Sequence, residues 1–182
     1  MEVHIPYLVL KEFNELSGRD VYELALLRQQ VFMIEQACLY SDLDGVDLVS
    51  THILLCSENT EDNSQQGMQE QRPYKTTIVG CIRIVAPELD ANKNSAALPA
   101  EVYLGRLVVK QAFRNQGFGA QLVNAGIKKA LELFPAANVM LSGQAYLERF
   151  YISLGFRGVG DIYDEDGIAH RKFIYANYQP AG

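Results

Sequence analysis

Apolar residues along this chain follow two periods, and the change from one to the other marks its elements. Leu104, Leu107, Val108 and Val109 form a short apolar, partly β-branched run that predicts a buried strand. A polar loop over 110–116 separates it from Ala120, Val123, Ile127, Ala130, Leu131 and Phe134. These recur three and four apart and predict a helix opening at Gly117. Upstream, residues 6–10 predict a first strand. Ser17-x-x-Asp20 reads as a capping-box variant that starts a helix carrying Val21, Leu24, Leu27, Arg28 and Val31, with Glu35 and Gln36 at its frayed end or just beyond. Residues 51–56 and 77–85 predict two more strands, and 139–141 another. A further helix follows Gln144, closed by Gly155 in the left-handed conformation. Residues 157–163 and 168–175 predict a hairpin turning at Asp164-Glu165-Asp166-Gly167. The order β, α, several β, then β-α-β-α-β-β gives an α/β (α+β) domain: a mixed central β-sheet flanked by helices.

Three segments fall outside this periodicity. Residues 40–50 hold Asp42, Asp44, Gly45 and Asp47, which tempt a calcium-loop reading. Position twelve of such a loop would be Ile53 rather than Glu, and turn chemistry accounts for Asp44-Gly45, so no metal site is expected. Residues 57–76 are polar, repetitive in Gln and Glu, and read as a solvated loop insertion. Residues 87–101 read as an irregular connection.

A length of 182 residues fits one domain spanning 1–182, and 48% hydrophobic content suffices for its core. No apolar run approaches the ~20 residues of a membrane span. The N-terminus has an acidic second residue and no basic lead, unlike a signal peptide. A net charge of −6 argues against a nucleic-acid partner and is compatible with a cationic acceptor. Cys38, Cys56 and Cys81 are odd in number and fit no zinc spacing, which points to a reduced, cytoplasmic setting. Cys56 and Cys81 read as small core residues. Cys38 lies in a more polar stretch, where exposure is expected.

The candidate chemistry lies between the central strand and its helix, at Arg114-Asn115-Gln116-Gly117-Phe118-Gly119. Gly117 and Gly119 let backbone approach a ligand and allow positive φ. The following helix presents unpaired N–H groups and the positive end of its dipole, an anion site suited to phosphate. Arg114 adds a fixed charge. A P-loop would need Lys and Ser or Thr after the second Gly, but Ala120 and Gln121 stand there. A dinucleotide fingerprint would need a third Gly.

Arg-x-x-Gly-x-Gly after a strand resembles the acyl-CoA pyrophosphate loop of the GNAT acetyltransferases. Residues 144–156, ending Phe150-Tyr151-x-x-x-Gly155-Phe156, resemble that family's penultimate helix. Val31-Phe32-x-x-Glu35-Gln36, Asp42-x-Asp44-Gly45-x-Asp47 with His52, Gly105-Arg106, and Glu165-Asp166-Gly167-Ile168-x-His170 are similar to the ElaA-type branch. The resemblance implies the GNAT fold with a splayed central strand pair. It implies acetyl-CoA as cosubstrate, no metal, and an amine acceptor, small molecule or protein, attacked directly in a ternary complex. A homodimer, common for the fold, is also implied, with no nucleic-acid or membrane partner. Leu107, Val108 and Val109 would supply backbone N–H groups to the oxyanion. Arg114, Asn115, Gln116, Gly117, Phe118, Gly119 and Ala120 would hold the pyrophosphate, and Gln144 would contact CoA where many members have Asn. Leu147 stands where many members have Ala.

Tyr151 matches the tyrosine placed at the departing sulfur. A free tyrosine near pKa 10 and a thiol near 8.5 make full proton transfer uphill by ~2 kcal/mol, so a hydrogen bond to the developing thiolate is the expected role. The general base is left open among Glu35, His52, Glu101 and His170, with Glu35 taken as the catalytic partner of Tyr151. Glu35 either reaches the cleft or pairs with a cation such as Arg106. Arg106 either orients an anionic part of the acceptor or forms a salt bridge. The competing reading is a catalytically silent CoA-binding regulatory or interaction domain. It would keep the 114–119 loop but lack a working acceptor cleft.

Overall fold

A computed structural model describes residues 5–58, 76–86 and 101–175. The expected insertion over 57–76 and the connection over 87–101 lie almost wholly outside the described residues. Seven strands form one sheet: β1 (Tyr7–Glu12), β2 (Thr51–Glu58), β3 (Thr76–Val85), β4 (Glu101–Val109), β5 (Asn138–Gln144), β6 (Arg157–Glu165) and β7 (Ile168–Tyr175). Their spatial order is β1-β2-β3-β4-β5-β7-β6. Among the described residues only β4 and β5 run parallel, joined by the crossover helix α2 (Phe118–Leu133). The sheet is mixed, as the residue pattern implied.

Helix α1 (Gly18–Arg28) starts at a full capping box, with the Asp20 amide donating to Ser17 Oγ and the Asp20 carboxylate accepting from the Ser17 amide. It does not fray. It widens into a π-helical turn over Gln29–Glu35, closed by the Gln36 amide donating to the Val31 carbonyl at 3.0 Å. Such wide turns re-aim side chains, and this one places Val31, Phe32 and Gln36 along the main cleft. After it comes a short 3₁₀ turn over Val46–Val49. Helix α3 (Glu148–Ser153) ends at Gly155, whose φ of 90° confirms the expected left-handed closure.

Each face of the sheet carries its own core. Val102, Leu104, Val139, Leu141 and Phe173 pack under α2 and α3, with Leu122, Val123 and Ile127. Leu54, Cys56, Ile78, Cys81 and Val108 pack under α1, with Leu24, Leu27 and Val31. Leu122, fully buried, joins the α2 face seen in the sequence, while Leu131 and Phe134 sit at its margin. Cys38 is buried, not exposed: only 6% of its surface is accessible, because the turn after Glu35 folds it inward.

The 40–47 loop is more than turn chemistry. Arg28 donates to Asp42 Oδ2 at 2.7 Å and to Asp47 Oδ1 at 2.9 Å. Arg83 donates to Asp44 at 2.9 Å and to Asp47 at 3.0 Å. Arg106 lies 2.8 Å from Asp42 Oδ1 and donates to Asp44 Oδ2 at 2.9 Å. Three guanidinium groups and three carboxylates thus close a lattice that clamps the loop onto β3 and β4. The Arg83 hydrogen bond holds the Asp44 carboxyl well below the ordinary range. Asp47 is also lowered: burial opposes this, and Arg28 and Arg83 outweigh it.

Removing one partner of such a pair strands a buried charge. Asp42→Ala, which takes one of two carboxylate partners from the nearly inaccessible Arg28 and one from Arg106, is expected to cost about 3 kcal/mol in a urea unfolding curve. The depressed Asp44 and Asp47 carboxyls contribute stability that is fully present above the unfolded value near 3.8. It is lost as pH falls through their folded values, and melts between pH 5 and pH 2 would show that loss.

Candidate active site

Strands β4 and β5 separate part-way along their length. They pair from Glu101↔Asn138 to Leu104↔Leu141 and no further. Beyond that point β4 stays with β3, and β5 stays with β7 through Gln144↔His170. In β4, Arg106 and Leu107 together face the single residue Ile82, since Arg83 pairs with Gly105 and Cys81 with Val108. Arg106 takes a φ of 55°, unusual for a residue with a Cβ. This bulge shifts the alternation by one residue, so Leu104 faces the α2 core while Val108 faces the α1 core. Arg106 is the salt-bridged residue of the two alternatives, and Tyr40 lies under its guanidinium at 5.3 Å.

A cleft of about 830 Å³ occupies the gap and opens on both faces of the sheet. At one mouth stands the start of α2. Asn115 has φ 61° and Gly117, the helix N-cap, has φ 84° with no side chain closing the helix end. The first N–H groups of α2 therefore lack helical partners. Asn115, Gly117, Gly119 and Ala120 line the cleft there. Gln116 does not, because its side-chain amide donates back to the Ala112 carbonyl at 3.1 Å. Phe118 is buried against Phe113 and anchors the loop from below. Arg114 lines the cleft, its Nε donating to the Val109 carbonyl at 2.9 Å and a terminal nitrogen to Glu35 at 2.6 Å.

Of the two alternatives for Glu35 the structure shows pairing with a cation, which is Arg114 rather than Arg106. Glu35 stands at the rim, outside the lining. Leu107, Val108, Val109 and Gln144 all line the gap, and Gln144 reaches across it to donate to Gln36 Oε1 at 3.2 Å.

Tyr151 stands in the wall of the gap, 5% accessible. Its ring packs on Phe150, Phe156 and Phe173, with centroids at 5.2, 6.2 and 5.0 Å. Its hydroxyl has no hydrogen-bond partner among the described residues. Burial pushes its pKa up to about 12. It therefore stays a neutral phenol and a donor at ordinary pH. A phenol at about 12 lies roughly 3.5 pKa units above a free thiol, so complete transfer of its proton to a thiolate would cost roughly 5 kcal/mol. Sequence reasoning did not single out Gly143. A Cβ on it would overlap the Tyr151 ring, so this glycine is what lets the ring lie against β5.

The opposite mouth lies on the other face of the sheet. Ser142 and Gln144 point there, across from Lys172 and His170 of β7. The Ser142 hydroxyl donates to Glu165 Oε2 at 3.0 Å and lies 2.5 Å from the Tyr163 hydroxyl. Glu165, Asp166 and His170 line this mouth with Cys38 and Tyr40. His170 Nδ1 must donate to the Ile168 carbonyl at 2.9 Å, since a carbonyl only accepts. In the neutral ring, Nε2 is then the acceptor. The two other expected bases stand elsewhere. His52 is 2% accessible, with its Nε2–H on the Asp47 carbonyl at 3.0 Å. Glu101 begins β4 at the end away from the splay, accepting from the Tyr103 hydroxyl at 2.5 Å. Among the described residues, no group of three His, Cys, Asp or Glu forms a metal cluster, and no helix is long and apolar enough to cross a membrane.

The family model described as an acetyltransferase (GNAT) domain matches residues 62–175. The UPF0039 protein sll0451 of Synechocystis is 34% identical over 165 residues, covering 91% of this chain and 92% of the relative. Among solved structures, an acyl-CoA N-acyltransferase from Pseudomonas aeruginosa superposes with a TM-score of 0.74 at 28% identity, covering 94% of this chain and all of that one. Escherichia coli ElaA superposes with a TM-score of 0.72 at 30% identity, with the same coverage. These likenesses support acyl-CoA-dependent acyl transfer as the general chemistry.

Gly143→Ala is expected to displace the Tyr151 ring. Overpacking of this kind should cost about 1–3 kcal/mol in urea unfolding and alter the near-ultraviolet circular dichroism of the aromatic cluster.

Proposed function

The chain belongs to the GNAT acetyltransferase family, and from that premise we propose that it transfers an acetyl group from acetyl-CoA to an amine acceptor by direct attack in a ternary complex. The observation that carries this reading is the gap between β4 and β5, with unpaired α2 N–H groups at one mouth and the unpartnered Tyr151 hydroxyl in its wall. Arg114 and the N–H groups at Gly117–Ala120 would hold the pyrophosphate. Leu107, Val108 and Val109 line the gap, and backbone N–H groups there would stabilise the carbonyl oxygen as it develops charge. Tyr151 would donate a hydrogen bond to the departing sulfur as charge builds there, rather than lose its proton. The acceptor would enter by the opposite mouth.

His170 is the better general base than Glu35. Its Nε2 is an acceptor in the lining, whereas the Glu35 carboxylate is committed to Arg114 at the rim. An amine with a lysine-like pKa is neutral in only about one molecule in 10³ at pH 7, which is why a base matters. Glu35 would instead hold Arg114 in place beside the pyrophosphate.

The reading is tested by thiol release from acetyl-CoA across a panel of amines, with CoA binding measured by calorimetry in parallel. Amine-dependent release is expected. Binding without release from any amine would favour a silent CoA-binding domain. Gly117→Glu places a carboxylate against the anion loop and should abolish binding; unchanged affinity would overturn the loop assignment. Tyr151→Phe should lower kcat by about 10²–10³ with CoA affinity changed only a few-fold.

A further inference from the structure

The inner end of the gap is apolar and closed. Pairing between β4 and β5 stops at Leu104↔Leu141, and both leucines line the cleft there, with Ile82 and Val123. All four belong to the core under α2, and each is at most 5% accessible. The gap thus narrows from its two mouths to a blind end inside the core. Gly126 of α2 sets the depth of that end. A Cβ on Gly126 would stand 3.2 Å from Leu104 Cδ2, 3.3 Å from Leu104 Cδ1 and 3.5 Å from Ile82 Cδ1. Leu104 is therefore seated as low as a helix residue without a side chain allows. A methyl group at 126 would press it toward the gap.

A thioester carbon has three substituents. On the proposed reading its sulfur leads back to the α2 mouth and its oxygen turns to the N–H groups of β4. The attacking nitrogen arrives from the opposite face. The acyl chain is then directed at the blind end. A core of this kind is close-packed, so the chain extends only until it meets the two leucines. We propose that Leu104, seated on Gly126, and its partner Leu141 set the length of acyl chain the cleft accepts, admitting acetyl and propanoyl and excluding hexanoyl. This inference rests on the acyl-CoA reading of the cleft and deepens it. It is a claim about binding and needs no acceptor.

The test is calorimetry with CoA, acetyl-CoA, propanoyl-CoA and hexanoyl-CoA. A single methylene in a fitted apolar pocket is worth about tenfold or more, so hexanoyl-CoA is expected to bind at least about tenfold more weakly than acetyl-CoA. Leu104→Ala removes the stop and should reduce that ratio at least about tenfold. Gly126→Ala acts in the opposite direction: it lifts Leu104 and should weaken propanoyl-CoA against acetyl-CoA by about tenfold. It also favours the helix, so it carries the test where Leu104→Ala does not fold. Circular dichroism melting reports the folding of each variant. Residues that only fill the core would shift the melts and leave the affinity ratios alone. Equal affinities for acetyl-CoA and hexanoyl-CoA in the native protein overturn the proposal. So does a ratio untouched in Leu104→Ala, or in Gly126→Ala where Leu104→Ala does not fold. Either result, with acetyl-CoA still bound, leaves the acyl-CoA reading standing. Failure of CoA and every acyl-CoA to bind overturns the 114–119 loop reading, and this inference with it.

Discussion

The separation of β4 from β5 is the constraint on which the rest of this molecule depends. A sheet gains from continuous pairing, and an unpaired backbone group away from water costs free energy. Here pairing stops at Leu104↔Leu141, and each strand keeps a partner on its far side only. The unpaired inner edges are tolerable because they line a cleft that solvent or ligand fills. The two faces of the sheet are sealed by separate cores, so the gap is the passage between them. On the proposed reading, a donor held by the α2 N-terminus and an acceptor arriving from the other face would meet in this gap.

Such a gap needs to be held open. Arg106 sits at the bulge in a conformation that costs about 1–2 kcal/mol for a residue with a Cβ. Its guanidinium is gripped by Asp42 and Asp44, which are in turn gripped by Arg28 and Arg83. Burying six charges is not itself a source of stability, since desolvation offsets most of the attraction. What the lattice supplies is geometry. It binds the loop after α1, the middle of β3 and the bulge of β4 into one unit. That unit carries Tyr40 and lies beside the acceptor mouth.

Much of this was legible in the residue pattern, for identifiable reasons. The strand-to-helix loop at 114–119, the capping box at Ser17 and the Asp166-Gly167 turn are local signals, and local signals survive folding. Order along the chain also fixed the mixed sheet. What escaped was set by tertiary contact. Asp42, Asp44 and Asp47 looked like turn residues, because their partners lie on α1, β3 and β4. Cys38 looked exposed because its neighbours in sequence are polar, yet the turn after Glu35 buries it. Glu35 was expected to reach the cleft or pair with a cation such as Arg106, and the π-helical turn brings it to Arg114. Gly143 carried no signal at all, since a glycine in a strand has many explanations and only the Tyr151 ring reveals this one. His170 was among the four candidate bases, but only the structure shows its Nδ1 bound to the Ile168 carbonyl.

Burial gives Tyr151 two properties at once. The aromatic packing that fixes the ring also removes water from its hydroxyl, and that desolvation raises its pKa to about 12. A phenol so held is a poor acid and a neutral hydrogen-bond donor at ordinary pH. Its value to a departing thiolate is then electrostatic, strongest when charge is greatest, which is the differential that lowers a barrier. Gly143 makes that arrangement sterically possible, and the Phe150, Phe156 and Phe173 cluster makes it rigid. On the proposed reading the role of Tyr151 comes from its packing, and the same tyrosine on an exposed helix face would lack both the fixed ring position and the dry surroundings.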